Sequence, residues 1–293
     1  MHPTLFTIGN FNIPSYTVLL DLGLILGLIL AYLEGKRSLG SGEAALDLGL
    51  WAIIGGIVGG RLGYVLVNWQ IFAEEWQRAF YIWEGGLAFH GAFFGGIAVL
   101  AAYAWLQRGA GREVFWTHLD TLTLGLAAGM VFGWAACLLG GCAYGATGEG
   151  FGYSVLPDLF GVEASRFATQ AVAMAYALVL LAGFWLLRGR WPFAGASFLV
   201  YLLLYFAGQF FLEFTRGDEA LFFGPWRLAQ LLDVALVLAV SALLLWLWWS
   251  HRNAPEAPPP EEVDEVEAEA LDTPSTTGEP APDGAAAQES DQD

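Results

Sequence analysis

Charged residues are scarce in this sequence. Only 14% of its 293 residues are Asp, Glu, Lys or Arg, whereas 56% are hydrophobic. An average soluble domain has about 25% charged residues, so this composition excludes an ordinary soluble protein. Basic residues are the rarest, with 12 against 29 acidic residues, and the net charge of −17 leaves no basic surface for a nucleic acid. Met1–Asn12 has no Lys or Arg, so we expect no cleavable signal peptide.

Internal repeats and metal-ligand clusters are also lacking. No segment recurs at a fixed period and no matched pair of interrupted apolar segments occurs, which argues against an inverted-repeat transporter or a channel. The only two cysteines, Cys137 and Cys142, are too few to bind a metal ion without a further ligand such as His90. We expect no metal site and no cofactor.

The two cysteines stand five residues apart at the end of an apolar segment. Such a pair lies on different faces of a regular helix, so a disulfide requires the helix to end between them, which Gly140 and Gly141 would permit. The compartment outside the cell membrane is oxidising enough for a disulfide. Two free, buried thiols are the simpler arrangement, and we expect those.

Long apolar runs fill most of the chain. Seven of them have about the 20 residues that a helix needs to cross the hydrocarbon core of a membrane. They predict an all-α polytopic membrane protein with seven transmembrane helices, at about 16–32, 44–67, 87–106, 119–139, 167–187, 193–213 and 228–249.

The basic residues predict an orientation for these spans. The ends that would face the cytoplasm carry Lys36, Arg37, Arg108, Arg112, Arg188, Arg190 and Arg252. The opposite ends carry Arg61, Arg78, Arg166, Arg216 and Arg227. The positive-inside rule is most reliable for short loops such as those of the first set. We therefore expect the N-terminus outside and the C-terminus inside the cell.

The predicted membrane body covers residues 1–252. Three segments of the chain lie outside its spans, two within the body and one after it. An amphipathic arm at about 68–86 contains Trp69 and Trp76 and would lie along the outer membrane interface. A glycine-rich stretch at about 140–165 predicts a small cap on the outer face. After Arg252 the chain has no Lys or Arg but has 13 acidic residues and seven prolines, which predicts a disordered cytoplasmic tail at 253–293.

Two polar residues in or beside the spans are candidates for function. His90 follows a glycine-rich run and begins the third span, where it could exchange a proton near neutral pH. Arg61 lies within the second span among glycines whose spacing indicates close helix packing. A buried guanidinium needs an anionic partner, either a lipid phosphate or one of the buried acids Asp21, Asp120, Glu213 and Asp233.

Three blocks of the sequence resemble the prolipoprotein diacylglyceryl transferase family. They are Gly60-Arg61-Leu62-Gly63-Tyr64-Val65, then Trp83-Glu84-Gly85-Gly86-Leu87-Ala88-Phe89-His90-Gly91, and later Gln209-Phe210-Phe211-Leu212-Glu213-Phe214-Thr215-Arg216, with Gln230 in the last span. The resemblance covers about 10–250. It implies a seven-span protein of the bacterial inner membrane that transfers the diacylglyceryl group of phosphatidylglycerol to the lipobox cysteine of a prolipoprotein. The implied partners are phosphatidylglycerol, prolipoprotein signal peptides and the lipid bilayer.

The resemblance also implies a set of site residues. The catalytic candidates are His90, Tyr16 and Glu213. The candidates for substrate binding are Arg61, Gly85, Gly86, Gly91, Gly145, Arg166, Gln170 and Arg216. Two alternatives stay open, because Glu213 and Arg216 stand three apart on one helix and could pair with each other, and Tyr16 could belong to an interfacial aromatic belt.

The sequence departs from the family pattern in its fourth and sixth spans. The family has an Arg, Asn, Asn, Glu pattern where this chain has Trp134, Cys137, Gly140 and Cys142, and an Arg where it has Gln209. Losing one aligned donor at a catalytic site costs about 3–4 kcal/mol of barrier. The alternative function is therefore a relative that binds lipid or a membrane partner without turnover.

Overall fold

A computed structural model describes residues 4–8, 11–82, 85–106 and 112–253. Within these ranges, seven helices are long and apolar enough to cross a membrane, which confirms the predicted fold class. They are α1 Ser15–Leu39, α2 Glu43–Val67, α4 Phe89–Leu106, α5 Arg112–Gly140, α6 Thr169–Leu187, α7 Ala196–Leu212 and α8 Leu228–Arg252. The largest differences from the predicted spans are at the end of α1 and the start of α5, because the extra residues there are too polar to belong to an apolar run.

The remaining elements are short. The predicted arm folds as a helix, α3, at Trp69–Glu74 and a 3₁₀ helix at Trp76–Phe80. Three antiparallel hairpins, which an all-α prediction did not include, pair β1 Thr4–Ile8 with β2 Phe11–Pro14, β3 Tyr153–Pro157 with β4 Glu163–Phe167, and β5 Phe222–Phe223 with β6 Trp226–Arg227. The predicted tail lies outside the described residues except for Asn253.

Glycines set how closely α2 and α4 pack. Gly59 lies against Gly91 and Gly95, and a Cβ atom at Gly95 would overlap the carbonyl oxygen of Gly55. Contacts this close between backbones occur where small residues recur every four positions along a membrane helix. The interpretation of these glycines as a packing surface is therefore confirmed, and the packing places the start of α4, with His90, beside the end of α2.

Asp120 of α5 binds the start of α7, a role that the sequence did not predict. Its carboxylate accepts hydrogen bonds from the backbone N–H groups of Gly195, at 2.7 Å, and Phe198, at 2.9 Å. These groups open α7, where a helix has no internal acceptors for its first N–H groups. Asp120 therefore caps α7 from a neighbouring helix and is not the partner of Arg61.

Candidate functional site

The candidate residues gather at one end of the helix bundle. Because consecutive spanning helices alternate in direction, α1, α4, α6 and α8 begin at this end and α2, α5 and α7 finish there. We call it the His90 end. The arm, the hairpin β3–β4 and the hairpin β5–β6 all connect helices at this end. The fold therefore brings together segments that are distant in the sequence.

His90, the second residue of α4, has a partner on α8. Its Nε2 atom lies 2.9 Å from Oδ1 of Asp233, whose side chain is 1% exposed. The imidazole also contacts aromatic rings, edge-to-face with Phe89 and stacked on Phe206. Among the described residues, Oδ2 of Asp233 is buried without a hydrogen-bond partner. From the sequence, Asp233 was expected only as a possible partner of Arg61, and its pairing with His90 was not predicted.

In the part of the chain that the structure describes, Arg61 is held by backbone carbonyl groups and by no carboxylate side chain. Its Nε donates to the carbonyl oxygen of Ala79 at 2.9 Å, and its two terminal nitrogens donate to those of Arg78 at 2.5 Å, Gly85 at 2.5 Å and Gly86 at 3.2 Å. The partners of Arg61 among the described residues are therefore carbonyl groups and not one of the acids Asp21, Asp120, Glu213 and Asp233. Most of the guanidinium donors are used in binding the arm to α2.

The glycine turn between the arm and α4 depends on its residue types. Gly85 and Gly86 have φ values of 81° and 78°, a left-handed conformation that residues with a Cβ atom rarely adopt. A Cβ atom at Gly86 would also lie 2.5 Å from the ring of Tyr64. After the turn, Ala88 N–H donates to the carbonyl oxygen of Gly60 at 2.9 Å. The arm thus delivers the chain to His90 through contacts with α2.

A charge cluster of Glu213, Arg216, Asp218 and Arg227 lies between α7 and α8. Arg216 donates to Glu213 at 2.5 Å and to Asp218, through Nε, at 2.8 Å. Arg227 donates to Glu213 and to Asp218, both at 3.1 Å. Glu213 and Arg216 do pair, as the alternative from their spacing suggested. Asp218 and Arg227 were not predicted as site residues, and their positions after a span gave only the signal of charge.

The cluster keeps its members charged. Burial alone would raise the pKa of Asp218, but hydrogen bonds and charges from Arg216 and Arg227 outweigh burial and lower that pKa below its ordinary value. Burial alone would lower the pKa of Arg216, but Asp218 and Glu213 raise it above its ordinary value. Arg216 and Asp218 therefore lie side by side as a charged pair.

The predicted cap folds around Arg166 and Gln170. Arg166 donates to Asp158 at 3.0 Å, and its guanidinium lies 4.5 Å from the ring centre of Tyr144. Its Nε atom is buried without a partner among the described residues. The side chain of Gln170 donates to the carbonyl oxygen of Cys142 at 3.0 Å.

Backbone contacts connect the cap to the charge cluster. Gly145 pairs with Arg216 in an isolated β-bridge, and Gly217 N–H donates to the carbonyl oxygen of Tyr144 at 2.8 Å. The hydroxyl groups of Thr169 and Thr215 lie 2.9 Å apart. The structure therefore brings Gly145, Arg166 and Gln170 to the same end as Arg216.

Cys137 and Cys142 form a disulfide, so the expectation of two free thiols is wrong. The condition for a bridge is met, because α5 ends at Gly140 and Gly141 turns the chain with a φ of 76°. The bridge closes the end of α5 next to the carbonyl group that Gln170 contacts. It occupies two of the positions at which the chain departs from the family pattern.

The other departures and Tyr16 also lie at or near the His90 end. Tyr16 is the second residue of α1, is 39% exposed and lies close to Gly140. Trp134 interacts with the side chain of Tyr205. Gln209 is buried, and its Nε2 atom has no partner in the part of the chain that the structure describes. In that same part, no group of three or more His, Cys, Asp or Glu side chains could hold a metal ion.

Comparison with known proteins places the chain in a family. The family model described as prolipoprotein diacylglyceryl transferase matches residues 3–248. Three relatives named phosphatidylglycerol–prolipoprotein diacylglyceryl transferase are similar over most of their length. One from Gloeobacter violaceus is 33% identical over 88% of this chain and 96% of that relative. One from Halalkalibacterium halodurans is 32% identical over 84% of each chain, and one from Synechocystis sp. is 29% identical over 87% and 92%. The chain therefore belongs to the prolipoprotein diacylglyceryl transferase family.

Proposed function

We propose that this multi-pass membrane protein transfers the diacylglyceryl group of phosphatidylglycerol to the lipobox cysteine of prolipoproteins. One observation carries the proposal: a histidine paired with a buried carboxylate lies at the same end of the bundle as Arg216, whose charge acts on that carboxylate. A thiol has an ordinary pKa of about 8.5 and reacts as the thiolate. The reaction therefore needs a base for the thiol and cations for the phosphate, and the His90 end offers both.

His90 is the base in this proposal. The thiol proton passes to the imidazole, and the sulfur electron pair forms a C–S bond with the glyceryl carbon of the lipid. The C–O bond between that carbon and the phosphate breaks, and its electron pair leaves on the phosphate oxygen. The imidazolium then returns the proton to the departing glycerol phosphate, so that charge and protons balance.

Arg216 and Arg166 are the proposed phosphate ligands. The Arg216 side chain is 23% exposed, and a lipid phosphate would compete with Asp218 for its N–H groups. Arg166 contributes the buried Nε atom that has no partner among the described residues. Charge-assisted bonds of this kind are strong where water is excluded. Glu213 orients Arg216, while Gln170 holds the cap against the start of α6 and Gly145 pairs with Arg216 after the end of α7.

Tyr16 and the glycines complete the proposed site. The Tyr16 phenol lies at the same end and would contact the substrate from α1. Gly85 has open space beside it and would let a lipid headgroup approach the backbone, while Gly86 and Gly91 let the start of α4 pack closely against α2. Arg61 contributes through the arm that it holds.

We infer an inner-membrane location in a bacterium from the membership of the family. The distribution of Lys and Arg supports an N-terminus outside the cell and a C-terminus in the cytoplasm. Two single cysteines test the orientation, because the native pair is bridged and does not react with maleimides. Glu149→Cys in the cap should be labelled by an impermeant maleimide in sealed cells. Ser41→Cys, between α1 and α2, should be labelled only after permeabilisation. The reverse pattern would contradict the orientation.

Complementation tests the function directly. In a bacterial strain depleted of its own transferase, expression of this protein should restore growth and convert prolipoproteins to the diacylglyceryl form. His251, which is exposed at the far end of α8, provides the matched control for substitutions of His90. The variant His251→Gln should complement as the wild type does. A protein that accumulates in the membrane but leaves prolipoproteins unmodified would favour the relative without turnover.

A further inference from the structure

Asp233 lies deep in an apolar helix at the His90 end. Its relative exposure is 0%, and α8 has no other acidic residue. A carboxylate is costly to bury in a membrane helix and persists where it has a defined task. Another acid within a spanning helix, Asp120, has a structural task as a helix cap for two backbone N–H groups.

The contacts of Asp233 differ from those of Asp120. Its hydrogen bond joins it to a side chain that can gain and lose a proton, His90, at 2.9 Å. It satisfies no helix end, and its second oxygen is unpartnered among the described residues. The charged and titratable groups within electrostatic range are Glu213 and Arg216 of the charge cluster and the Tyr205 hydroxyl.

We propose that Asp233 is a positioning residue that sets the tautomer and orientation of His90 for proton transfer; this rests on the proposed function. A carboxylate that accepts from Nε2–H fixes the proton on that nitrogen and leaves the lone pair on Nδ1. In the described structure Nδ1 makes no hydrogen bond, so it can accept the thiol proton. The carboxylate then stabilises the imidazolium, as a buried carboxylate does for the histidine of a catalytic triad.

The aromatic contacts support this arrangement. Phe206 and Phe89 flank the imidazole, so the ring has little freedom once Nε2 is bound to Asp233. In this packing the ring is held by one polar contact and two apolar ones. Removing the polar contact should leave the ring in place but free to adopt the other tautomer.

Asp233→Asn tests the proposal with two readouts. In vesicles containing phosphatidylglycerol and a lipobox peptide, kcat should fall about 100-fold or more, because an amide can donate to Nε2 and move the proton to Nδ1. The KM for phosphatidylglycerol should change less than about threefold. A role in lipid binding would instead raise KM with kcat unchanged, and that result would overturn the proposal.

The second readout does not depend on transfer. Diethyl pyrocarbonate modifies unprotonated imidazole, and mass spectrometry of the peptide that contains His90 gives the rate at each pH. In Asp233→Asn the midpoint of this rate should move to lower pH by about one unit, because an opposite charge within hydrogen-bond distance no longer favours the imidazolium. Asp233→Glu should return the midpoint toward the wild-type value, and Asp120→Asn should leave it unchanged.

The two readouts separate the possible failures. An unchanged midpoint in Asp233→Asn, with wild-type protein that transfers lipid, overturns the role of Asp233 alone. A shifted midpoint with wild-type protein that transfers nothing overturns the proposed function and with it the role of Asp233 in transfer. If Asp233→Asn does not yield folded protein, Asp233→Glu tests the role of Asp233 instead. Its kcat and its midpoint for the modification of His90 must then both lie near the wild-type values.

Discussion

His90→Gln should abolish thioether formation while the protein still accumulates in the membrane. Glutamine keeps much of the size of histidine and can still hydrogen-bond to Asp233, but it cannot accept a proton. General-base catalysis contributes about 10²–10⁴-fold to a rate, so transfer to a lipobox peptide should fall at least about 100-fold. The measurement is the mass increase of the peptide after incubation with phosphatidylglycerol vesicles.

The matched control for this substitution is His251→Gln. His251 lies at the last turn of α8, at the opposite end of the bundle, and is exposed. It should transfer lipid at the wild-type rate and melt at the same temperature. Full activity in His90→Gln would mean that His90 only supplies a hydrogen bond, and the base would have to be sought elsewhere.

Much of the fold could be predicted because membrane solvation acts locally on the sequence. An apolar run of about 20 residues can satisfy its backbone only as a helix, so the seven spans followed from composition. The glycines of α2 also predicted close packing, although not the partner helix. The polar start of α5 was not predicted, because a run of apolar residues marks only the part of a helix that lies in the membrane core.

The partners of the site residues could not be predicted in the same way. His90 and Asp233 are 143 positions apart, and no pattern within either helix states which neighbour the other will contact. The N–H groups of Arg61 donate to carbonyl groups of the arm. The arm is irregular, so no hydrophobic periodicity in its sequence predicts where these carbonyl groups lie. The disulfide was not expected because Gly140 and Gly141 permit a helix to end between the cysteines but do not require it.

The structure also gives a physical context for the departures from the family pattern. Cys137 and Cys142, which replace polar residues of that pattern, are joined to each other. Gln209 brings a buried amide without a partner among the described residues, at a position where the family has a cation. The phosphate must therefore be held by cations from other elements, which is why the proposal assigns Arg216 and Arg166 to it.

Arg61→Lys should inactivate the protein almost as completely as Arg61→Ala. The guanidinium makes four hydrogen bonds to carbonyl groups of 78, 79, 85 and 86, and an ammonium group has three donors without the planar geometry to reach them. Hydrogen bonds to charged groups contribute about 1.5–3 kcal/mol each, so the arm should detach from α2 and the turn before His90 should lose its position. Limited proteolysis should cut the arm at least about tenfold faster in Arg61→Lys, and transfer should fall about 100-fold.

Arg78→Lys is the matched control, because the Arg78 side chain is 48% exposed on the arm and pairs with Glu75. This substitution should change neither the rate of proteolysis nor the rate of transfer much. If Arg61 instead binds the lipid phosphate, both Arg61 variants will lose phosphatidylglycerol binding while the arm stays as protected as in the wild type, and the arm-holding role would be refuted.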